Sequence, residues 1–246
     1  MIIHKLLYRH FYHRDDPVFY LMQAEDAINW LEKSGVTLTS DTEVLDLGCY
    51  HGIFGDALRR RGCKVTFGDT HNYLPTELKS CPYLSINLDD DNYPDLGQYD
   101  LLICSNFLEH LSKPENFIRQ CSQFLKPDGR LYLSFTNWLS PFGGHDFTPL
   151  QYLGPRLGSW VYYKLAGKNS SYDNGALYVS HIGTTLKMIK KTSSLKVRKM
   201  AARYYPEFSF VLRIPILREF LAWNCALLIS KLNTQTFSGN KQSMNF

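Results

Sequence analysis

Between residues 40 and 136 short apolar runs alternate with stretches of helical period. Val44 to Leu47 is a compact apolar run, and the spacing predicts a buried strand over 43–47. A helix over about 52–61 follows, with Ile53, Phe54, Ala57 and Leu58 on one face and a stop at Gly62. Lys64 to Phe67 reads as a second strand ending in Gly68-Asp69. A third runs from Tyr83 to Leu88 into Asp89-Asp90-Asp91. Tyr99 to Cys104 is apolar almost throughout, as expected of a central parallel strand with both faces covered. Ser112-Lys113-Pro114-Glu115 has the form of a capping box. Phe117, Ile118, Cys121, Phe124 and Leu125 then share one helix face, which Pro127 ends. Pro127-Asp128-Gly129 signals a turn, and Arg130 to Thr136 is the fifth strand.

The flanks differ. Residues 1–16 read as irregular. Asp16-Pro17 starts a helix whose apolar face is Val18, Leu21, Met22, Ile28 and Leu31, stopped by Gly35 and placed to cover a cleft. Residues 138–178 lose periodicity and are rich in Gly, Pro and aromatic residues, which is long for a connection and suits a lid. A helix at 181–192, a strand near 195–204, a short helix near 214–222 and an edge strand from Cys225 to Leu232 complete the chain. The last dozen residues read as a polar tail. Strand–helix alternation argues an α/β fold with a doubly wound, mostly parallel sheet and an inserted lid after strand 5. The chain reads as one domain: a core over 1–137, a lid and substrate region over 138–181, and sheet-completing elements over 182–246. In such folds ligands sit at the carboxyl ends of the strands, so residues 48–52, 69, 87–88 and 105–110 should converge.

Composition narrows the classes. With 246 residues and 44% apolar side chains, the chain can bury a sizeable core. A net charge of +4 without a basic stripe argues against nucleic acid. Six cysteines without a CxxC pair suit a reduced, cytoplasmic protein. The N-terminal stretch lacks the apolar core of a signal peptide. The run from Phe208 to Leu232 is interrupted by charges and is a poor transmembrane segment, leaving core packing or peripheral membrane contact open.

The chemistry centres on Gly48-Cys49-Tyr50-His51-Gly52. A buried strand entering a glycine turn at a helix start lets backbone approach a ligand closely and offers N–H groups to it. Asp46 precedes the turn and Asp69 ends the next strand, a placement that suits an amine and a ribose. The G-x-G-x-x-G spacing of a nicotinamide-binding domain is absent. Taken together, VLDLGCYHG (44–52), Asp69, YDLLICSNFLEHL (99–111) and LKPDGRLYLSF (125–135) resemble class I S-adenosylmethionine-dependent methyltransferases of the small-molecule type. Residues 137–154 and 213–228 resemble a bacterial subgroup of them without an assigned substrate.

The resemblance implies a Rossmann-like fold with a seven-stranded sheet and S-adenosyl-L-methionine as cofactor. It implies that Gly48, Cys49 and Gly52 pack on the methionine part, with Asp46 near its amino end. Asp69, with Thr70 beside it, would hold the ribose hydroxyls. Asn87 and Leu88 would contact the adenine, and Ser105 and Asn106 would line the cleft. Tyr50 stands where the family usually has Gly, and Asn87 where it usually has an acid. Those departures motivate an alternative, a non-catalytic binding protein that keeps the fold. The acceptor reads as a hydroxyl or carboxyl on a glycan, lipid or other small metabolite. Methylation of protein or nucleic acid is a weaker reading.

For proton removal, Gly143-Gly144-His145-Asp146 offers an exposed turn with an imidazole and an adjacent carboxylate. His181 is a second choice. Glu109-His110 reads equally as a brace for the fourth strand's loop or as a substrate contact. The aromatics Trp138, Phe142, Phe147, Tyr152, Trp160, Tyr162 and Tyr163 line a pocket or form the lid's own core. Asp89-Asp90-Asp91 reads as a solvated loop, and no metal site is expected.

Overall fold

The computed structural model describes residues 17–232 together with His4, Leu6, Tyr8 and Arg9. Those four are helical, where the sequence suggested irregular chain. The proposed Asp16 cap and the polar tail lie outside the described residues.

One sheet carries the fold. Its strands are β1 (Glu43–Leu47), β2 (Lys64–Asp69), β3 (Tyr83–Ser85), β4 (Tyr99–Ser105), β5 (Leu125–Thr136), β6 (Leu195–Ala202) and β7 (Asn224–Lys231), in the order β3-β2-β1-β4-β5-β7-β6. β1 to β5 pair in parallel, and β7 runs antiparallel to both β5 and β6. Helices α1 (Pro17–Lys33), α2 (Ile53–Arg59), α3 (Pro114–Cys121), α4 (Pro155–Ala166), α5 (Ile182–Lys191) and α6 (Pro215–Leu221) surround it.

The apolar runs are explained by cover on both faces. Leu101 and Ile103 face Ile28, Leu31 and Leu58 from α1 and α2, whereas Leu102 and Cys104 face Phe117, Ile118 and Ile189 from α3 and α5. All four strand residues are fully buried. Burial of a Leu or Ile side chain contributes roughly 1.5–3 kcal/mol each, so a charge in this run would be costly.

Four expectations change. Residues 225–232 are not an edge strand: β7 sits between β5 and β6, and its residues from Asn224 to Ser230 are buried. The edge belongs to β6, whose Lys196, Arg198 and Lys199 suit a border strand that resists pairing with other chains. α3 ends at Cys121, and β5 begins at Leu125, so Phe124 and Leu125 do not extend the helix face. The capping box is not formed by Ser112. Asp89 Oδ1 accepts from the N–H groups of Ser112 (2.8 Å) and Lys113 (3.1 Å) and holds the helix start from another loop. β3 stops at Ser85, placing Asn87 and Leu88 in the loop after it.

The lid is more regular than its composition suggested, since α4 and two short 3-10 turns run through it. Trp138 and Phe147 are buried with Leu177 in a small core of its own. Phe142 and Tyr162 face the cavity described below, and Tyr152, Trp160 and Tyr163 are exposed.

Candidate active site

The carboxyl ends of β1, β2, β4 and β5 open into a cavity of about 1090 Å³, roofed by α1, the lid and the turn before β7. A smaller cavity of about 340 Å³ adjoins it and shares Asp69, Phe107 and His110. Asp46, Gly48, Cys49, Tyr50, Ser105, Asn106, His110, His145 and Asp146 line the larger one; Thr70, Asn87 and Leu88 line the smaller. Gly52 lines neither. It starts α2 with φ +72°, and a Cβ there would lie 2.6 Å from Leu74.

At Gly48, with φ +68°, a Cβ would lie 2.6 Å from the Phe107 ring. Only a glycine lets the turn pass between that ring and the cavity. The turn's own donors are largely used. Gly48 N–H and Cys49 N–H donate to Gly68 O (2.8 and 3.3 Å), and Gly52 N–H donates to Cys49 O (2.7 Å). What the turn offers a ligand is therefore close backbone approach rather than these N–H groups. Tyr50 N–H donates to Asp69 Oδ2 at 2.9 Å, and Thr70 N–H to Asp69 Oδ1 at 2.7 Å. The Asp69 carboxylate is thus fixed at the cavity wall, with lone pairs left for a diol.

Tyr50 adopts φ +47°, a conformation uncommon for a bulky residue. Its ring turns outward, 58% exposed, against His51 and Tyr73 (3.9 and 5.4 Å between centroids). Asn106 (φ +54°) and His145 (φ +50°) share this backbone region, so three strained non-glycine residues ring one cavity.

Asp46 is buried beneath the turn, and its Oδ2 accepts from Gly55 N–H at 2.9 Å, anchoring the first turn of α2. Burial pushes its pKa up to about 7, opposed by the Gly55 bond and aided by the charge of Asp69. The Cys49 thiol is likewise raised by burial and stays protonated. Asn87 spends its amide locally, on Asp90 Oδ1 (2.8 Å) and the Asp89 N–H (3.1 Å).

His145 sits where lid and core meet, its ring 5.5 Å from that of His110. His110 Nδ1 contacts Ala176 O at 2.5 Å. His145 is exposed at the cavity mouth, and the protein packed around its ring partly desolvates the imidazole and holds it below its ordinary value. Glu109 and Asp146 pull the other way, and His110 adds to the lowering. Asp146 does not orient His145. Its carboxylate accepts from Ser171 N–H at 3.2 and 3.3 Å and ties the lid to itself. His181 lies outside both linings, and Glu219 caps α5 beside it through the N–H groups of Ile182 (3.0 Å) and Gly183 (2.8 Å). Among the described residues, no group of three or more His, Cys, Asp or Glu is placed to hold a metal.

Glu109, singled out in the sequence beside His110, is buried, with Oε1 accepting from Thr136 N–H (2.9 Å) and Oε2 without a partner. Several other cavity residues carried no sequence signal. Gln23, Arg203, Tyr204 and Trp223 also line the cavity. They meet only through the fold, Gln23 and Tyr204 being 181 residues apart.

A family model described as a methyltransferase domain matches residues 12–177. A protein of Mycolicibacterium gilvum (strain PYR-GCK) described as an uncharacterized methyltransferase is 28% identical over 228 residues, covering 87% of this chain and 88% of its own. The crystal structure of an S-adenosylmethionine-dependent methyltransferase from Mesorhizobium loti superposes with a TM-score of 0.56 at 17% identity, over 83% of this chain and 97% of its own. Coclaurine N-methyltransferase bound to N-methylheliamine and SAH superposes with a TM-score of 0.52 at 12% identity, over 85% of this chain and 72% of its own. At these identities the two structures speak for the fold.

Proposed function

The chain belongs to the methyltransferase domain family as a class I S-adenosylmethionine-dependent enzyme, and on that premise we propose that it methylates a hydroxyl or carboxyl of a small acceptor held between the lid and α1. The cavity fits the cofactor. The Gly48 turn has no side chain to fill it, and Asp69 presents a fixed carboxylate. In this reading Asp69 takes the ribose hydroxyls, Gly48 and Cys49 flank the methionine part, and Leu88 packs by the adenine. When bound, S-adenosylmethionine supplies an electrophilic sulfonium methyl whose sulfur leaves as a neutral thioether.

The chain's own task is then to align an acceptor oxygen and take its proton. One observation carries the oxygen-acceptor reading: an imidazole held neutral near pH 7 at the cavity wall, within electrostatic reach of Glu109. A neutral imidazole can accept the hydroxyl proton as the new O–CH₃ bond forms. The test is transfer of labelled methyl to panels of alcohols, carboxylic acids and amines, with products sorted by alkaline hydrolysis. Ethers or esters support the reading; label on nitrogen alone overturns it.

A second observation concerns where the acceptor is met. α4 exposes Leu157, Trp160, Tyr163 and Leu165, and Arg156, Lys164 and Lys168 lie on or just after it, with no acid between Asp146 and Asp173. Tyr162 and Lys168 line the cavity from this same segment. A basic helix with exposed Trp and Leu suits an anionic membrane surface. Among the described residues no helix is long and apolar enough to cross a membrane, so the contact in this reading is peripheral.

A further inference from the structure

Arg203 follows β6 and lines the cavity, and only 4% of it is exposed. Its Nη1 donates to Asn106 Oδ1 (2.7 Å) and Ser134 Oγ (3.0 Å), and its Nη2 to Gln23 O (3.2 Å). Nε has no partner, and Nη2 keeps a second proton. The guanidinium lies over the rings of Tyr132 (5.8 Å) and Tyr204 (5.6 Å). Every one of these partners is neutral. Among the described residues Arg203 has no ion pair with a carboxylate; Asp26 and Glu109 act on it only at longer range.

A buried cation without a counter-ion is costly to hold. The fold nevertheless holds this one with care. Asn106 takes a left-handed backbone to aim its amide, and its Oδ1 also accepts from Asn224 Nδ2 at 2.9 Å. Asn106 Nδ2 and Tyr204 OH both donate to Gln23 Oε1 (2.8 and 3.1 Å). Four elements thus converge on one positive charge in a cavity wall. The Nε proton, itself covered by protein, and the second Nη2 proton are the guanidinium donors that remain unspent, on the edge that pairs with two oxygens of one anion once a neighbouring side chain gives way.

We infer that Arg203 anchors an anionic group of the methyl acceptor, so that the acceptor is a small organic acid with an apolar or ring-bearing body. The inference rests on the proposed methyl transfer and narrows it. The other walls near Arg203 are aromatic: Phe19, Tyr20, Phe142, Tyr204 and Trp223. A carboxylate gripped by a guanidinium is a weakened nucleophile, so the methylated atom is a separate hydroxyl of the same molecule. Arg203 reaches the cavity from β6, at the edge of the sheet beyond β5 and β7, whereas Asp69 ends β2 near the other edge. Titration with S-adenosylhomocysteine tells the acceptor's charge from the cofactor's own carboxylate.

The test uses the full chain saturated with S-adenosylhomocysteine and titrated by calorimetry with 4-hydroxybenzoate and its neutral match, 4-hydroxybenzamide. The acid is expected to bind at least about tenfold tighter than the amide, with the gap narrowing as salt rises. Arg203→Gln should erase the preference and Arg203→Lys keep part of it, while affinity for S-adenosylhomocysteine changes less than about twofold. Equal binding of acid and amide by the wild type overturns the inference without any variant having to fold. So does an Arg203→Gln protein that keeps the preference, or one that loses S-adenosylhomocysteine instead, which would assign the charge to the cofactor's own carboxylate. Failure of the wild type to bind S-adenosylhomocysteine at all would sink the methyl-transfer reading itself, a separate result.

Discussion

The backbone N–H of Tyr50 donates to Asp69 Oδ2 at 2.9 Å, joining the turn after β1 to the end of β2. The bond explains how a bulky residue persists at φ +47°, where strain of this kind costs on the order of 1–3 kcal/mol. It also means that Asp69 serves both the turn and the proposed ribose contact.

Asp69→Ala should therefore lose twice: the turn relaxes, and S-adenosylmethionine affinity falls by more than about tenfold, since charge-assisted bonds of this kind are worth roughly 1.5–3 kcal/mol. Calorimetry decides it. A variant binding as tightly as the wild type removes Asp69 from the site.

Asp46 makes stability depend on pH. Its folded-state pKa of about 7 lies above the ordinary 3.8, because burial disfavours the charged carboxylate. The folded protein holds a proton that the unfolded chain has released. The resulting stability is complete below 3.8 and drains away as pH rises towards about 7. Asp46→Asn keeps an acceptor for Gly55 N–H and removes the titration. Urea denaturation should show the variant gaining on the wild type between pH 5 and pH 8; a constant gap would contradict the assignment.

His145→Ala is expected to lower kcat by about 10²–10⁴-fold if the imidazole takes the acceptor proton. Because partial desolvation holds this group below 6.5, the wild-type rate should fall only on the acid side, with a midpoint under 6.5, and stay level from pH 7 to 8. Stability follows the same sign. Below about 6.5 the unfolded chain takes up the proton first, so folding weakens there. An alanine variant with the wild-type rate and profile would pass the role to Glu109.

Helix α4 gives a surface test. Sedimentation with vesicles of phosphatidylcholine and phosphatidylglycerol should carry the protein down, and vesicles of phosphatidylcholine alone should carry much less. The double variant Trp160→Ser, Leu165→Glu should stay in the supernatant. Equal recovery with both lipid mixtures would remove the membrane reading.

The glycine turn, the two acids and the central strands were legible because each is written in consecutive residues. β1 and β4 are apolar on both faces, and that pattern has few other meanings. β7 was legible as a strand and misplaced as an edge, although its unbroken apolar character from Cys225 to Ile229 already argued for neighbours on both sides. Ser112 looked like a cap because the local pattern was right, but a carboxylate from a distant loop took its place. Gln23, Arg203 and Asn224 were invisible for a deeper reason. A buried polar network is a property of side chains brought together across the whole chain, and no local period or spacing marks them.

The position of β7 has a consequence for how the enzyme comes into being. Among the described residues β7 is the last strand in chain order, and it slots between two strands synthesised before it. Asn224, on that strand, is also the residue that closes the Asn106–Arg203 wall. A nascent chain can pair β1 to β5 while the wall built by Asn106, Arg203 and Asn224 is still open, so that wall waits on β7.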